Sequence, residues 1–381
     1  MVTKLQKPLN ILSMLAQIDD PRIERTKKHR LLDILFIGLV ATMCGCNTWV
    51  DVVRFAKAKN GWFKRYIRLS GGVPSHDTFC RVFRILKAPV LEACFREWLH
   101  SLHEATGGGQ IAIDGKTLAN SFAKASGQSA LHLLCAWSVK ARVVLGQEAT
   151  DQKSNEITAI PALLEQLELK GSLVTIDAMG CQTDIAKKIH EGRGDYVLAL
   201  KANHPTLHEA VSDAFVAVAE ETSEAKGVRR MKVVDESGDR RDEREYIVMP
   251  VPKDLPGREN WPGLQSVGMV VRRRITPTGE TGEVRYYLSS LPAKVREFAT
   301  AVRSHWSIEN TLHWSLDVTF SEDKSRIHKG EGPEVVAWLR RLVLSIMKQD
   351  TSMKESLRGK RFILGWDDQA LERMLASFNR N

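Results

Sequence analysis

Apolar residues recur at helical spacing through Leu9–Ile18, His29–Cys46, Trp49–Ala58 and Val90–Leu102, so residues 1–105 are expected to be helical throughout. Within this region GGVPSHDTFCRVFRIL breaks the chain at Gly71, Gly72 and Pro74 and restarts it at Ser75, a residue suited to capping a helix. The new helix carries Arg81, Arg84 and Lys87 beside Phe79, Val82, Phe83 and Leu86. Such a short basic amphipathic helix is either a recognition helix for a major groove or a helix with one solvated face. Gly107–Gly109 reads as a linker.

From Gln110 the period changes. IAIDGKT, ALHLLCAWSV (130–139), RVVLGQEAT (142–150), SLVTIDAMG and DYVLALK (195–201) are strand-like, and Asn155–Leu167, Thr183–His190 and Pro205–Glu220 are helical. Alternation of this kind implies a sheet layered by helices, an α/β architecture. Between about 226 and 291 the helical signal disappears. REYIVMPV, SVGMVVRRRI and EVRYYLSSL are expected strands of an all-β insertion. Helices resume at Ala293–Leu316, Glu334–Lys348 and Asp367–Ala376. The expected domains are a helical unit 1–106, an α/β unit of 107–225 and 292–350, the β-rich insertion 226–291, and a helical tail 351–381.

Composition narrows the class. The chain of 381 residues is 43% hydrophobic and 27% charged, as expected of a globular protein. Leu31–Cys46 is its most apolar run; Asp33 interrupts it, and it reads as a buried helix, so no membrane partner is expected. The N-terminus lacks a secretory pattern, and the six cysteines are scattered without zinc spacing, so free thiols and a cytoplasmic protein are expected. Residues 1–106 hold 17 Lys+Arg against 9 Asp+Glu, so nearly all of the net charge of +9 lies there. Concentrated positive charge suits a polyanion.

No GxGxxG follows a strand, the glycines before Lys116 are misplaced for a phosphate loop, and HExxH and GxSxG are absent. What remains is carboxylates. Asp114 ends IAID and Asp177 ends VTID; each alone would fit a turn or cap. Two acids at the ends of buried strands, separated by two strands and a helix, also match an RNase H-like fold, whose first and fourth strands are neighbours. The third acid of such a site comes from a later helix, and Glu309 shares a stripe with Val302, Trp306, His313 and Leu316. A salt-bridged glutamate at the edge of a packing face fits the same spacing. Asp317, Glu322 and Asp323 are the neighbouring alternatives; the wheel sets Asp317 off the stripe, and SEDKSR reads as a solvated loop. Three carboxylates without a nucleophilic side chain suit two-metal phosphoryl transfer with Mg²⁺, or Mn²⁺ in its place.

IAIDGKT, QKSNEITAIPALLEQL, VTIDAMGCQTDIAKKI, DYVLALKANHPTL and HWSIENTLHWSLDVTFSEDKSR closely resemble the insertion-sequence transposases that include the H-repeat proteins of Rhs elements. LLDILFIGLVATMCGCNTWVDV and VPSHDTFCRVF resemble that family's associated helical domain. The resemblance implies an RNase H-like catalytic domain with a DDE triad, here Asp114, Asp177 and Glu309, and a β-rich insertion before the glutamate. It implies a metal-dependent DNA phosphoryl-transfer enzyme that binds terminal inverted repeats and target DNA, as a homodimer on paired ends. The Tyr-Arg-Glu-Lys signature of related transposases is altered: His305 and Leu316 stand where Arg and Lys are found. Candidates for contacts to DNA are Arg81, Arg84, Lys87, Lys116, Lys201, His305 and Arg326. A domesticated nuclease or recombinase, or a non-cleaving DNA-binding derivative, are the competing readings; the three carboxylates argue against the last, and flanking inverted repeats would separate the active transposase from the domesticated enzyme.

Overall fold

The computed structural model describes residues 10–122, 129–150, 155–220 and 227–376. The start of the expected Leu9–Ile18 helix, the first residues of QKSNEITAIPALLEQL and the end of the 351–381 tail lie outside them.

Among the described residues the chain opens with six α-helices: α1 (Asn10–Leu15), α2 (Leu31–Met43), α3 (Trp49–Ala58), α4 (Asn60–Phe63), α5 (His76–Ile85) and α6 (Ala88–Ala105). α2 is the apolar run interrupted by Asp33, and all of it but Leu32 is buried among the other elements. Among the described residues no helix is long and apolar enough to cross a membrane. Ser75 caps α5, its hydroxyl accepting the Thr78 N–H. Gly107, Gly108 and Gly109 all have positive φ, which turns the chain sharply from α6 into the first strand.

The strands are β1 (Gly109–Thr117), β2 (His132–Ser138), β3 (Val143–Thr150), β4 (Ser172–Ile176), β5 (Asp195–Leu200), β6 (Arg229–Ser237), β7 (Arg240–Pro250), β8 (Ser266–Thr276) and β9 (Gly279–Ser289). All nine form one sheet in the order β3-β2-β1-β4-β5-β9-β8-β7-β6. β4 is parallel to β1 and to β5; every other pairing is antiparallel. α7 (Glu156–Glu165), α8 (Thr183–Glu191) and α9 (Pro205–Glu220) connect the middle strands. The stretch 229–289 does not form a separate layer, because β9 pairs with β5 and carries β6–β8 outward as a continuation of the sheet. It holds four strands rather than the expected three. β6 (RRMKVVDES) turns Met231 and Val233 onto an apolar cluster, but with only two apolar residues on that face its alternation is too short to read.

After β9 come α10 (Val295–His305), a π-helical turn (Ile308–His313), α11 (Trp314–Val318), α12 (Gly332–Gln349), α13 (Leu357–Trp366) and α14 (Asp368–Ala376). α10 packs across β1, β4 and β5 and onto β6 and β7, whereas α12 lies between β3 and the helices α2, α5 and α6. Residues from Ile11 to Leu375 therefore share one buried apolar cluster.

Candidate active site

Residues alternate across a strand, so Gln110 and Asp114 of β1 face the same way, as do Thr175 and Asp177 at the end of β4. Parallel pairing of Ile113 with Ile176 brings the next residues, Asp114 and Asp177, side by side. A chain of polar contacts fixes the helix above them. Gln110 Nε2 donates to Thr175 Oγ1 (2.9 Å) and to the Ala301 carbonyl (2.8 Å), and Thr175 Oγ1 lies 3.0 Å from His305 Nδ1. Those contacts seat α10 on β1 and β4 and aim its continuation over the paired aspartates. The continuation is the π-helical turn, closed by the Trp314 N–H on the Glu309 carbonyl, and Glu309 lies in it. Such wide turns are uncommon and concentrate at functional sites. Asp114, Asp177 and Glu309 consequently line one cavity of about 490 Å³, together with Lys201, His305 and Trp306.

Charge in this cavity is unbalanced. Burial, followed by the charges of Asp177 and Glu309, pushes the Asp114 carboxyl up to about 7. Burial, then Glu156, raises Asp177, although Asp177 Oδ1 also accepts the Met179 N–H at 3.1 Å. The cap expected of a turn aspartate and the paired-carboxylate arrangement are thus both present. His313 Nδ1 lies 3.6 Å from Asp114 Oδ2, but burial holds this imidazole down to about 3, so it is neutral. Among the described residues no lysine or arginine forms an ion pair with Asp114, Asp177 or Glu309.

The alternative acids are committed elsewhere. Lys116 Nζ binds Asp317 (2.8 Å) and Asp323 (3.2 Å), and Glu322 and Arg341 form a pair with side chains 0% and 1% exposed. SEDKSR is therefore not a solvated loop: a buried guanidinium, which also reaches the Cys135 thiol, draws Glu322 inside. The π turn also alters the angular register beyond residue 313, so a regular-helix wheel does not relate Asp317 to Glu309. Ion pairing is what distinguishes them.

The expected DNA contacts divide. Arg81, Arg84 and Lys87 are exposed on or just after α5. Arg326 is exposed in the segment that ends against α5, where the Glu331 N–H donates to the Arg84 carbonyl at 3.1 Å. Lys201 is exposed at the rim of the acidic cavity. Lys116 does not fit the expectation; it is 9% exposed and its ammonium is held by two carboxylates. Nor does His305, which burial holds down to about 4 and which serves the Thr175 contact as a neutral ring.

Gln110, Thr175 and a buried pair, His132–Glu156 (2.6 Å), were not singled out from the sequence. His132 Nδ1 also meets Thr117 Oγ1 at 2.8 Å. This pair lies so close behind Gly115 that a Cβ there would stand 2.4 Å from His132 Nε2 and 2.5 Å from Glu156 Oε1. The SNEIT motif was the available signal for Glu156.

Oxygen ligands without fixed cations fit a hard divalent metal, which would supply the missing positive charge. The oxygens are not gathered on one point: among the described residues no three His, Cys, Asp or Glu side chains form a cluster ready to hold an ion. Mutually repelling carboxylates behave this way.

Comparison with known proteins gives the same picture from outside. A family described as "Transposase DDE domain" matches residues 106–346, and one described as "DDE_Tnp_1-associated" matches residues 12–99. "Putative transposase YncI" of Escherichia coli O157:H7 is 37% identical over 372 residues, covering 97% of this chain and 95% of its own. "H repeat-associated putative transposase YhhI" of Escherichia coli K12 is 35% identical over 371 residues, covering 96% and 97%. With the aspartates on neighbouring strands and both segments matched, this chain belongs to the DDE transposases of the H-repeat-associated family.

Proposed function

We propose that this protein is the transposase of an insertion-sequence element, binding the terminal inverted repeats and cutting and joining DNA strands at Asp114, Asp177 and Glu309. One observation carries the reading: three carboxylates from β1, from the end of β4 and from the π turn line one cavity, and none has a fixed cation among the described residues. The order β3-β2-β1-β4-β5, with β1 parallel to β4 and antiparallel to β2, supports an RNase H-like catalytic core with β6–β9 as its insertion. On this reading 107–225 and 292–350 form the catalytic unit, 226–291 the insertion and 351–381 a tail, and the helical segment 1–106 holds the element end through Arg81, Arg84 and Lys87, with Arg326 beside them.

Two Mg²⁺ or Mn²⁺ ions would supply the positive charge that activates a water or 3′-hydroxyl and stabilises the leaving oxygen. Asp114, Asp177 and Glu309 would hold the ions. Lys201 at the rim would meet a phosphate. Gln110, Thr175 and His305 hold the glutamate-bearing segment in place over the aspartates. The protein acts as a homodimer on paired ends.

The test is cleavage of a labelled duplex carrying the repeat that flanks the gene, with and without Mg²⁺ or Mn²⁺. Metal-dependent cutting at the element boundary is expected. In Asp114→Asn and Asp177→Asn it should fall by several orders of magnitude while end binding persists. Near-native cutting by either variant would remove that aspartate from the site.

A further inference from the structure

Beside the acidic cavity lies a second cavity of about 620 Å³. It shares Glu283, Arg285, Tyr287, Val302, Trp306 and Glu309 with the first, so the two meet at the catalytic glutamate. Its character is the opposite. Arg240, Arg244, Arg272, Arg274, Arg285 and Arg303 line it, contributed by β7, β8, β9 and α10.

These arginines exceed the acids available to them. Asp242 alone is shared by Arg240 (2.6 Å), Arg274 (2.9 Å), Arg272 (3.4 Å) and Arg244 (3.9 Å). Asp235 meets Arg244 (2.5 Å) and Arg303 (3.0 Å), and Glu283 meets Arg285 (2.7 Å). With Glu309 at the junction, six guanidiniums face four carboxylates. If Glu309 holds metal, the excess grows by one. Arg272 Nε is buried and makes no hydrogen bond. The network does not match its charges one to one: four guanidiniums share Asp242 and two share Asp235, so the groove they line keeps an excess of positive charge. Phosphodiesters, each presenting two non-bridging anionic oxygens, suit guanidinium forks. Arg285, stacked over Trp306 at 4.8 Å, stands at the passage between the cavities.

We propose that the β7–β9 arginine groove is a second DNA track, carrying the phosphates of the strand that leaves the Glu309 end of the catalytic cavity. The proposal rests on the transposase reading above and adds to the α5 surface, which precedes Asp114 in the chain, a contact set from between Asp177 and Glu309. It explains why the outer strands are joined to the catalytic sheet through β9–β5: the groove stays in register with the carboxylates.

The experiment compares two full-length triple variants on a mixed-sequence duplex over a range of KCl. Arg240→Gln, Arg274→Gln and Arg303→Gln together remove groove charges. Arg229→Gln, Arg230→Gln and Arg273→Gln remove the same charge from β6 and β8 at positions that do not line the groove. The groove variant should bind more weakly, with the slope of log affinity against log salt flattened by about 2–3, roughly 0.9 per lost phosphate contact. The control variant should keep the native slope. Equal slopes for the two variants would overturn the proposal. Arg303→Gln alone, whose side chain is 54% exposed and which does not touch Asp242, guards against misfolding and should flatten the slope by about 1. An unchanged slope in that folded single variant also counts against the groove. Metal-dependent cleavage by the wild type is measured in parallel. If it is present while the groove variant binds normally, the groove idea alone fails; if it is absent, the transposase reading fails first.

Discussion

Replacing Asp114 by Asn should stabilise the metal-free protein while destroying its cleavage activity. Burial and the neighbouring acids raise this carboxyl from its ordinary 3.8 to about 7. Because the folded value lies above the unfolded one, the group's contribution to stability is complete below about pH 4 and is lost as the pH rises through about 7. The full displacement corresponds to roughly 4 kcal/mol. The side chain is 20% exposed, so solvent screening reduces the expectation to about 2–3 kcal/mol near pH 8. Asn keeps the shape and much of the hydrogen bonding without the charge. Urea unfolding in EDTA, from about pH 5 to about pH 8, should therefore show Asp114→Asn pulling ahead of the wild type by about 2 kcal/mol across that range. Other raised acids, such as Glu334, are common to both proteins and cancel in the difference. Mn²⁺ at about a hundred times its Kd should restore about 2.7 kcal/mol to the wild type and less to the variant. A variant less stable than wild type near pH 8, or a gap that does not change with pH, would refute the electrostatic account.

Three further outcomes are expected. Glu309→Gln should abolish cleavage and retain end binding, whereas Asp317→Asn and Asp323→Asn keep measurable activity; Glu322→Gln, which strands the buried Arg341, should cost about 3–5 kcal/mol in denaturant melts. Replacing Arg81, Arg84 and Lys87 with Ala should weaken binding to end DNA and lower its salt slope by about 2–3 in a titration against KCl. Gly115→Ala should cost about 1–3 kcal/mol and slow cleavage, because its Cβ would meet His132 Nε2 at 2.4 Å; native melting and native rate together would show that the pair yields freely.

Periodicity was enough where an element has one apolar and one polar side. Trp49–Ala58 and Pro205–Glu220 are read to the residue, and IAID and VTID single out two aspartates because two strands each end in an acid, although either alone would fit a turn or cap, as Asp177 does. β6 was missed because its inward face holds only Met231 and Val233 among charged residues, and α13, though inside the expected helical tail, was not delimited because its short pattern includes Lys360 and Arg361, both buried by tertiary contacts. Lys116 and Glu322 look solvated in one dimension; only the partners brought by distant segments, Asp317, Asp323 and Arg341, turn them inward. The π turn, and the contacts of Gln110 with Thr175 and the Ala301 carbonyl below it, are not reported by spacing along the chain.

α12 gives the molecule a restricted evolutionary repertoire. Proteins whose reading head hangs on a tether can exchange that head for another and so acquire new addresses at a stroke. Here α12 is buried along nearly its whole length, serving β3 on one side and α2, α5 and α6 on the other. A graft of foreign helices would leave Leu342, Val343, Ile346 and Met347 facing water. On the function proposed above, such a protein would change its recognised sequence one surface residue at a time and keep the spacing between that sequence and the cut fixed.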